Sequence, residues 1–127
     1  MNGQPPATAD RSGLLARDYW LILSTPVAGT SQAAIEAQVD AHIAWVLALE
    51  QDGTLFLSGP LLSGPGTGPG SGVTVLRAAS EDAARAIAAG DPFAQAGLRT
   101  FQVHRWRLNE GCVSVRVSLG TGTNDWQ

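Results

Sequence analysis

The element that decides the fold spans residues 31–53 and reads SQAAIEAQVDAHIAWVLALEQDG. Its alanine-rich composition favours a helix. Thr30 or Ser31 offers an N-cap, and Gly53 stands where a left-handed residue commonly ends a helix. We therefore predict a helix that runs to about Gln51.

His42 falls on the apolar stripe of this helix, where a histidine needs a partner. The residues that share the stripe at helical spacing are Ile35, Val39, Ile43, Val46 and Leu47. A candidate partner is Asp91, in the turn Gly90-Asp91-Pro92-Phe93. Two interpretations stay open at this point: the pair forms a functional site, or His42 is a satisfied core residue and Asp91 bonds nearby backbone amides.

The rest of the chain predicts an α+β fold. Apolar runs indicate strands near residues 19–25, 54–58, 73–77 and 100–108, and Ser80 caps a second helix that Gly90 ends. The order β-α-β-β-α-β is the ferredoxin-like split βαβ arrangement, in which two helices cover one face of an antiparallel sheet. Alternation over residues 113–119 predicts an extra C-terminal strand with one wet face.

The apolar phase of the strand at 100–108 shifts between Val103 and Trp106. This indicates either a bulge or a strand that is buried in part on both faces. With 127 residues and 44% hydrophobic content, the chain suits one domain. We expect a domain over residues 18–120, a flexible N-terminal arm over 1–17 and a flexible tail over 121–127.

Composition excludes several classes of function. A net charge of −3 lacks the cations of a nucleic-acid binder. The chain contains no lysine for a Schiff base or a P-loop, and the single Cys112 cannot build a cysteine-rich zinc site or an intrachain disulfide. The apolar runs are too short to cross a bilayer. We therefore expect a cytoplasmic protein that binds neither nucleic acid nor membrane.

Aromatic residues supply more apolar area than two helices can cover. They are Tyr19, Trp20, Phe56, Phe101 and Trp106. Because the second face of such a sheet is open, we expect another copy of the chain to cover it. The prediction is a homodimer built sheet against sheet.

Four segments in order resemble the YciI-like (YCII) family over about residues 19–110. They are Ala41–Val46, Gly53 with Leu57–Leu61, Asp91–Leu98, and Val103–Trp106. The resemblance implies a dimeric α+β barrel in which a histidine and an aspartate, here His42 and Asp91, line a pocket. Activities described among relatives resemble acid/base chemistry on small oxygenated ring compounds. This chain departs from the family at residues 35–39, where an arginine often precedes the histidine.

An imidazole can take and give a proton near neutral pH, and an aspartate on one ring nitrogen fixes the tautomer and stabilises the cation. With the ring compounds that the resemblance implies, we expect a lyase or isomerase that needs no metal or organic cofactor, with His42 and Asp91 as catalytic residues. The expected substrate-binding residues are Ser58, Phe93, Arg105 and Trp106. The alternative is a non-catalytic dimer of the same fold that binds a small ligand or regulates.

Other patterns have weaker functional interpretations. His104 could join His42 and a carboxylate as an iron site, but the spacing does not support this, and no metal is expected. Residues 59–72 are rich in glycine but lack a phosphate-loop ending, so they predict a flexible hairpin connection or a lid. Ser58 and Arg105 are equally compatible with ordinary strand positions exposed to solvent.

Overall fold

The structure is a computed structural model that describes residues 12–127. Residues 1–11, most of the predicted N-terminal arm, lie outside the described residues. The described chain forms two compact units, one of residues 18–107 and a smaller one that joins residues 12–17 with 108–127. Among residues 12–127, no helix is long and apolar enough to cross a membrane.

The larger unit has the predicted ferredoxin-like architecture. Its elements are β1 (Arg17–Pro26), α1 (Gln32–Gln51), β2 (Leu55–Pro60), β3 (Gly72–Leu76), α2 (Glu81–Ala89), α3 (Pro92–Gln95) and β4 (Arg99–Leu108). The sheet order is β2-β3-β1-β4, and β3 runs antiparallel to both β1 and β2. This interleaving of two βαβ units confirms the α+β class and the split βαβ order.

Serine caps begin both long helices. The Ser31 hydroxyl accepts a hydrogen bond from the Ala34 amide at 3.1 Å, so Ser31 and not Thr30 is the N-cap of α1. The Ser80 hydroxyl accepts from the Ala83 amide at 3.1 Å in α2. Each cap satisfies an amide that the first helical turn leaves without a partner.

The hydrophobic core lies between the helices and one face of the sheet. Its buried centre consists of Ile22, Leu76, Ala84 and Ala88. Two small alanines on α2 let the helix approach the sheet closely, and Leu76 is completely buried. Trp20 and Phe101 pack against this centre. Of the five aromatic residues that the sequence analysis grouped together, these two are covered by the helices, because strand alternation turns them to that side.

The opposite face carries the remaining aromatic residues. Tyr19 stacks on Phe56 with ring centroids 4.5 Å apart, and its ring lies 6.3 Å from that of Trp106. Since Val103 packs on the helix side while Trp106 lies beside Tyr19, β4 carries apolar residues on both faces. The phase shift read from the sequence thus reflects a strand buried in part on each side.

The smaller unit contains a two-stranded sheet of β5 (Val115–Ser118) and β6 (Thr123–Trp126). The sequence analysis placed the terminal strand in the main domain and assigned residues 121–127 to a tail. The structure instead pairs Val115 with Trp126 in this separate sheet. Residues 123–126 contain one large apolar side chain, so they lack the alternation that would have predicted β6.

We predict that Leu76→Ala lowers the free energy of unfolding by about 2–5 kcal/mol, because it removes a fully buried side chain and leaves a cavity. Urea denaturation followed by circular dichroism measures the change. Leu62→Ala is the matched control, because Leu62 is 88% exposed and its truncation should stay within about 0.5 kcal/mol. Equal losses in the two variants would contradict the location of the core.

Candidate active site

The structure brings the histidine of α1 and the predicted aspartate together. His42 Nδ1 lies 2.9 Å from Asp91 Oδ1, although the residues are 49 positions apart in sequence. Since a carboxylate only accepts, Nδ1 carries the proton and donates it to Asp91. The other ring nitrogen, Nε2, makes no hydrogen bond to residues 12–127 and is left as the proton acceptor.

The chain places Asp91 at the junction of two helices. Gly90 is the C-cap of α2, and Asp91 is the N-cap of α3, with Pro92 at its first position. Asp91 Oδ1 also accepts from the Phe93 amide at 3.0 Å. Asp91 Oδ1 therefore bonds both to a nearby backbone amide and to His42, so the two interpretations of Asp91 do not exclude each other.

Arg99 completes the charge arrangement. It begins β4, is almost fully buried, and donates from Nη2 to the second carboxylate oxygen of Asp91. Its Nη1 donates to the Gly70 carbonyl at 2.9 Å, and its guanidinium lies 4.8 Å from the Phe93 ring centroid. The buried Nε has no hydrogen-bond partner among the described residues.

These contacts determine the ionisation of Asp91. Burial raises the pKa of the Asp91 carboxyl, but the His42 hydrogen bond, the Arg99 charge and the Phe93 amide together hold its pKa below the usual value. The side chain is therefore an anion at neutral pH even though Asp91 is only 3% exposed. An anionic Asp91 fixes the tautomer of His42 and stabilises the imidazolium that forms when Nε2 takes a proton.

Aromatic rings determine the orientation of the imidazole. The His42 ring stacks on Phe93 with centroids 4.4 Å apart, and the Trp45 ring lies 5.7 Å away. Phe93 contacts both His42 and Arg99, and Asp91 bonds to each of them. The imidazole is thus held by one hydrogen bond and one stacked ring.

A cavity of about 780 Å³ opens beside this cluster, between α1 and the β2–β3 edge of the sheet. Its walls include His42, Ser58, Phe93 and Arg99, together with apolar side chains of α1 and residues 67–72 of the connection between the strands. Cavities of this size typically hold small organic ligands. The His42 ring therefore borders a space of ligand size.

The glycine-rich connection between β2 and β3 forms one wall of the cavity. Gly70 has a φ of +88°, and a Cβ at this position would lie 2.6 Å from Ile35 Cδ1. Only glycine fits this left-handed conformation and this contact with α1. Since its carbonyl accepts from Arg99, the connection is bonded to the same cluster as Asp91.

The other predicted site residues divide into two groups. Ser58 and Phe93 line the cavity with His42. Arg105 instead donates to Asp18, and Arg107 donates to the same carboxylate. The hydrogen bond from Arg107, followed in size by the one from Arg105, holds the pKa of Asp18 far below its usual value.

Neither Arg105 nor Trp106 lies among the residues that line the cavity. The sequence analysis did not anticipate that Asp18, on the neighbouring strand, would occupy both arginines. Trp106 lies beside Tyr19. The structure therefore does not bring Arg105 and Trp106 to the site that contains His42.

No metal centre is found in residues 12–127, because no three His, Cys, Asp or Glu side chains come close enough to hold an ion. His104 does not line the cavity that contains His42. The one cysteine, Cys112, is exposed in the smaller unit.

Sequence reasoning missed Arg99, although a signal was available. Arg99 shares strand alternation with Phe101 and Val103, which pack against the core. An arginine in phase with core residues must be buried, and a buried arginine needs a carboxylate. His42 was identified as a polar residue in phase with the apolar residues of its helix, and Arg99 has the same relation to the apolar residues of its strand.

Comparisons with known proteins give matches to a family model and to solved structures. A sequence model described as the YCII-related domain matches residues 19–107. A similar solved structure is 5-chloro-2-hydroxyhydroquinone dehydrochlorinase from Burkholderia phenoliruptrix AC1100, in complex with 2,5-dihydroxybenzoquinone. It is 27% identical, with a TM-score of 0.58, and the match covers 69% of this chain and 92% of that one. A search of curated proteins found no match.

We predict that Asp91→Asn lowers the free energy of unfolding by about 3 kcal/mol at pH 7, because it removes the charge partner of buried Arg99. A carboxyl whose folded pKa is lowered stabilises the fold above its unfolded pKa of about 3.8, and this contribution disappears as pH falls through the folded value. The difference between wild type and Asp91→Asn should therefore shrink in acid.

Urea denaturation at pH 7, 5 and 3 measures this difference. Asp40→Asn is the control, because Asp40 is exposed on α1 and its replacement should have little effect at any of these pH values. A difference between wild type and Asp91→Asn that is the same at pH 7 and pH 3 would show that the charge of Asp91 does not stabilise the fold.

Proposed function

Because this chain belongs to the YCII-related family, and because Asp91 holds one nitrogen of His42 at the wall of a cavity, we propose that it is an acid/base enzyme of lyase or isomerase type. Its substrate is a small oxygenated ring compound. The observation that carries the proposal is the 2.9 Å contact from His42 Nδ1 to an aspartate kept ionised by Arg99.

In the proposed mechanism, His42 Nε2 removes an O–H or C–H proton from the bound ring. The electron pair of the broken bond forms a new π bond in the substrate. In an elimination, the leaving group departs as an anion with the electron pair of its own bond, so that one proton and one anion are lost together. In an isomerisation, Nε2 returns the proton to another ring carbon.

Asp91 acts by positioning and charge. It holds the proton on Nδ1, which leaves the lone pair of Nε2 available, and its negative charge stabilises the imidazolium intermediate. The residue remains an anion throughout, because His42, Arg99 and the Phe93 amide all donate to its carboxylate. We propose that no metal or organic cofactor takes part, since the proton transfer requires only the imidazole and its partner.

The remaining walls suit an oxygenated ring. Ser58 lines the cavity and carries a hydroxyl that can donate to a substrate oxygen, and Phe93, which stacks on His42, adds an apolar part to the wall. The similar dehydrochlorinase, by its name, removes hydrogen chloride from a chlorinated hydroxyhydroquinone. That reaction is an elimination of a proton and a halide, which is the chemistry proposed here for His42.

We also propose that two copies associate through the sheet face that carries Tyr19 and Phe56. Leu57 lies on this face, because it pairs with Val75 in the sheet, and it is 47% exposed. Light scattering at micromolar concentration should give twice the chain mass of 13.2 kDa. Leu57→Arg should shift the protein to monomer by burying an unpaired charge in the contact, while Leu47→Arg, on α1 and 49% exposed, should not. A monomer mass for wild type would contradict this proposal.

We predict that His42→Ala lowers kcat for release of chloride from 5-chloro-2-hydroxyhydroquinone by about 10²–10⁴-fold, because it removes the general base. Chloride release and the absorbance of the quinone product measure the rate. His104→Ala is the matched control, because His104 is exposed on β4 and does not line the cavity. It should keep wild-type activity.

Circular dichroism and light scattering must show that both variants fold and keep the same mass as wild type. A His42→Ala variant with wild-type kcat would refute the proposed role of His42. If wild type binds 2,5-dihydroxybenzoquinone but turns over none of the chlorinated or unsaturated ring compounds tested, the non-catalytic binding function replaces the enzymatic one.

A further inference from the structure

The cavity beside His42 has an apolar side that the proposed proton transfer does not use. Val39, Ile43 and Val46 follow one another at i, i+4 and i+7 on α1, so they form a stripe next to His42, and all three line the cavity. Leu61 and Leu62, at the end of β2, line the same space. We call these five residues the apolar mouth.

The apolar mouth is exposed to solvent without any ligand. Ile43 is 45% exposed, Leu61 37% and Leu62 88%. Exposed apolar side chains that cluster around a concave site, rather than being scattered singly, mark a surface that binds an apolar group. The two ionisable side chains that line the cavity, His42 and Arg99, both contact Phe93.

The cavity has room for more than a single small ring. At roughly 30 Å³ per non-hydrogen atom, the share of liquid volume that water takes, a compound such as 2,5-dihydroxybenzoquinone with about ten such atoms fills about 300 Å³. The cavity measures about 780 Å³. More than half of it remains after a ring has been placed against His42, and the apolar mouth borders that remainder.

We infer that the substrate is amphipathic: an oxygenated ring that carries an alkyl or aryl substituent. This inference rests on the proposed function and specifies its substrate class. The ring lies beside His42 with an ionisable oxygen or carbon at Nε2, and the substituent extends along the stripe of α1 between Ile43 and Leu61. The substituent buries the apolar mouth and thereby contributes affinity that the ring alone lacks.

The experiment compares three ring compounds of increasing apolar size. The probes are 2,5-dihydroxybenzoquinone and its 3-propyl and 3-hexyl derivatives, and calorimetry measures the Kd of each. Full burial of one methylene tightens binding by about fourfold. Even partial burial of the three propyl carbons should therefore make this compound bind at least tenfold more tightly than the parent ring. The hexyl compound should bind at least as tightly as the propyl one.

Two matched variants locate the substituent. Ile43→Gln places an amide in the apolar mouth, whereas Leu47→Gln changes a residue one turn further along α1 that is 49% exposed and does not line the cavity. Glutamine has a high helix propensity, so both variants should keep α1. Ile43→Gln should lose most of the gain from the propyl group, measured against the parent ring in the same variant, while Leu47→Gln should keep that gain.

The outcomes separate this inference from the proposed function. If the parent ring binds and neither substituent adds affinity, the amphipathic substrate is refuted and the acid/base proposal stands. If none of the three rings binds, both are refuted. If the gain persists in Ile43→Gln, the substituent lies elsewhere and the inference fails. If Ile43→Gln changes the oligomeric mass, another copy covers the apolar mouth, which also refutes it.

Discussion

The structure of the site depends on one buried carboxylate. Removing an ionised aspartate from water is costly unless donors replace the lost hydration, and a single missing donor leaves a charge that destabilises the fold. Asp91 receives its donors from α1, from β4 and from the backbone of α3. The positions of these three elements around Asp91 therefore contribute to the stability of the fold as well as to the geometry of the site.

The same carboxylate connects the site to the glycine-rich connection between β2 and β3. Arg99 uses one nitrogen for Asp91 and another for the carbonyl of Gly70, so the cavity wall and the His42 partner share one cation. A substrate that moves this wall also acts on the hydrogen bonds of Asp91. The glycine-rich segment thus belongs to the site by a direct bond, although it lacks the sequence pattern of a phosphate loop.

Most of the fold and half of the site could be predicted from the sequence, because both depend on local patterns. Alanine content, serine caps and strand alternation determine the helices and the sheet, and His42 stands out on an apolar stripe. The turn at residues 90–93 offered Asp91 as its candidate partner, and the family resemblance, which the match to residues 19–107 confirms, implied the same pair.

What escaped prediction depends on pairing that apolar patterns do not reveal. Asp18 binds Arg105 and Arg107 across the sheet, 87 and 89 positions along the chain. The strand β6 is held by backbone hydrogen bonds to β5 with almost no apolar pattern. Arg99 differs from these two cases, because its alternation with Phe101 and Val103 is a local signal for a buried position.

Charge balance explains why an arginine belongs beside the histidine and aspartate in the proposed mechanism. With neutral His42, Asp91 and Arg99 cancel, so the resting site carries no net charge. When Nε2 takes a proton from the substrate, the three side chains together become cationic while the substrate becomes an enolate or phenolate. Without Arg99, the same step would leave the protein groups neutral and give the developing anion no net opposite charge. In this chain β4 supplies the cation of the cluster, through Arg99. This arrangement favours substrates whose negative charge appears during proton transfer.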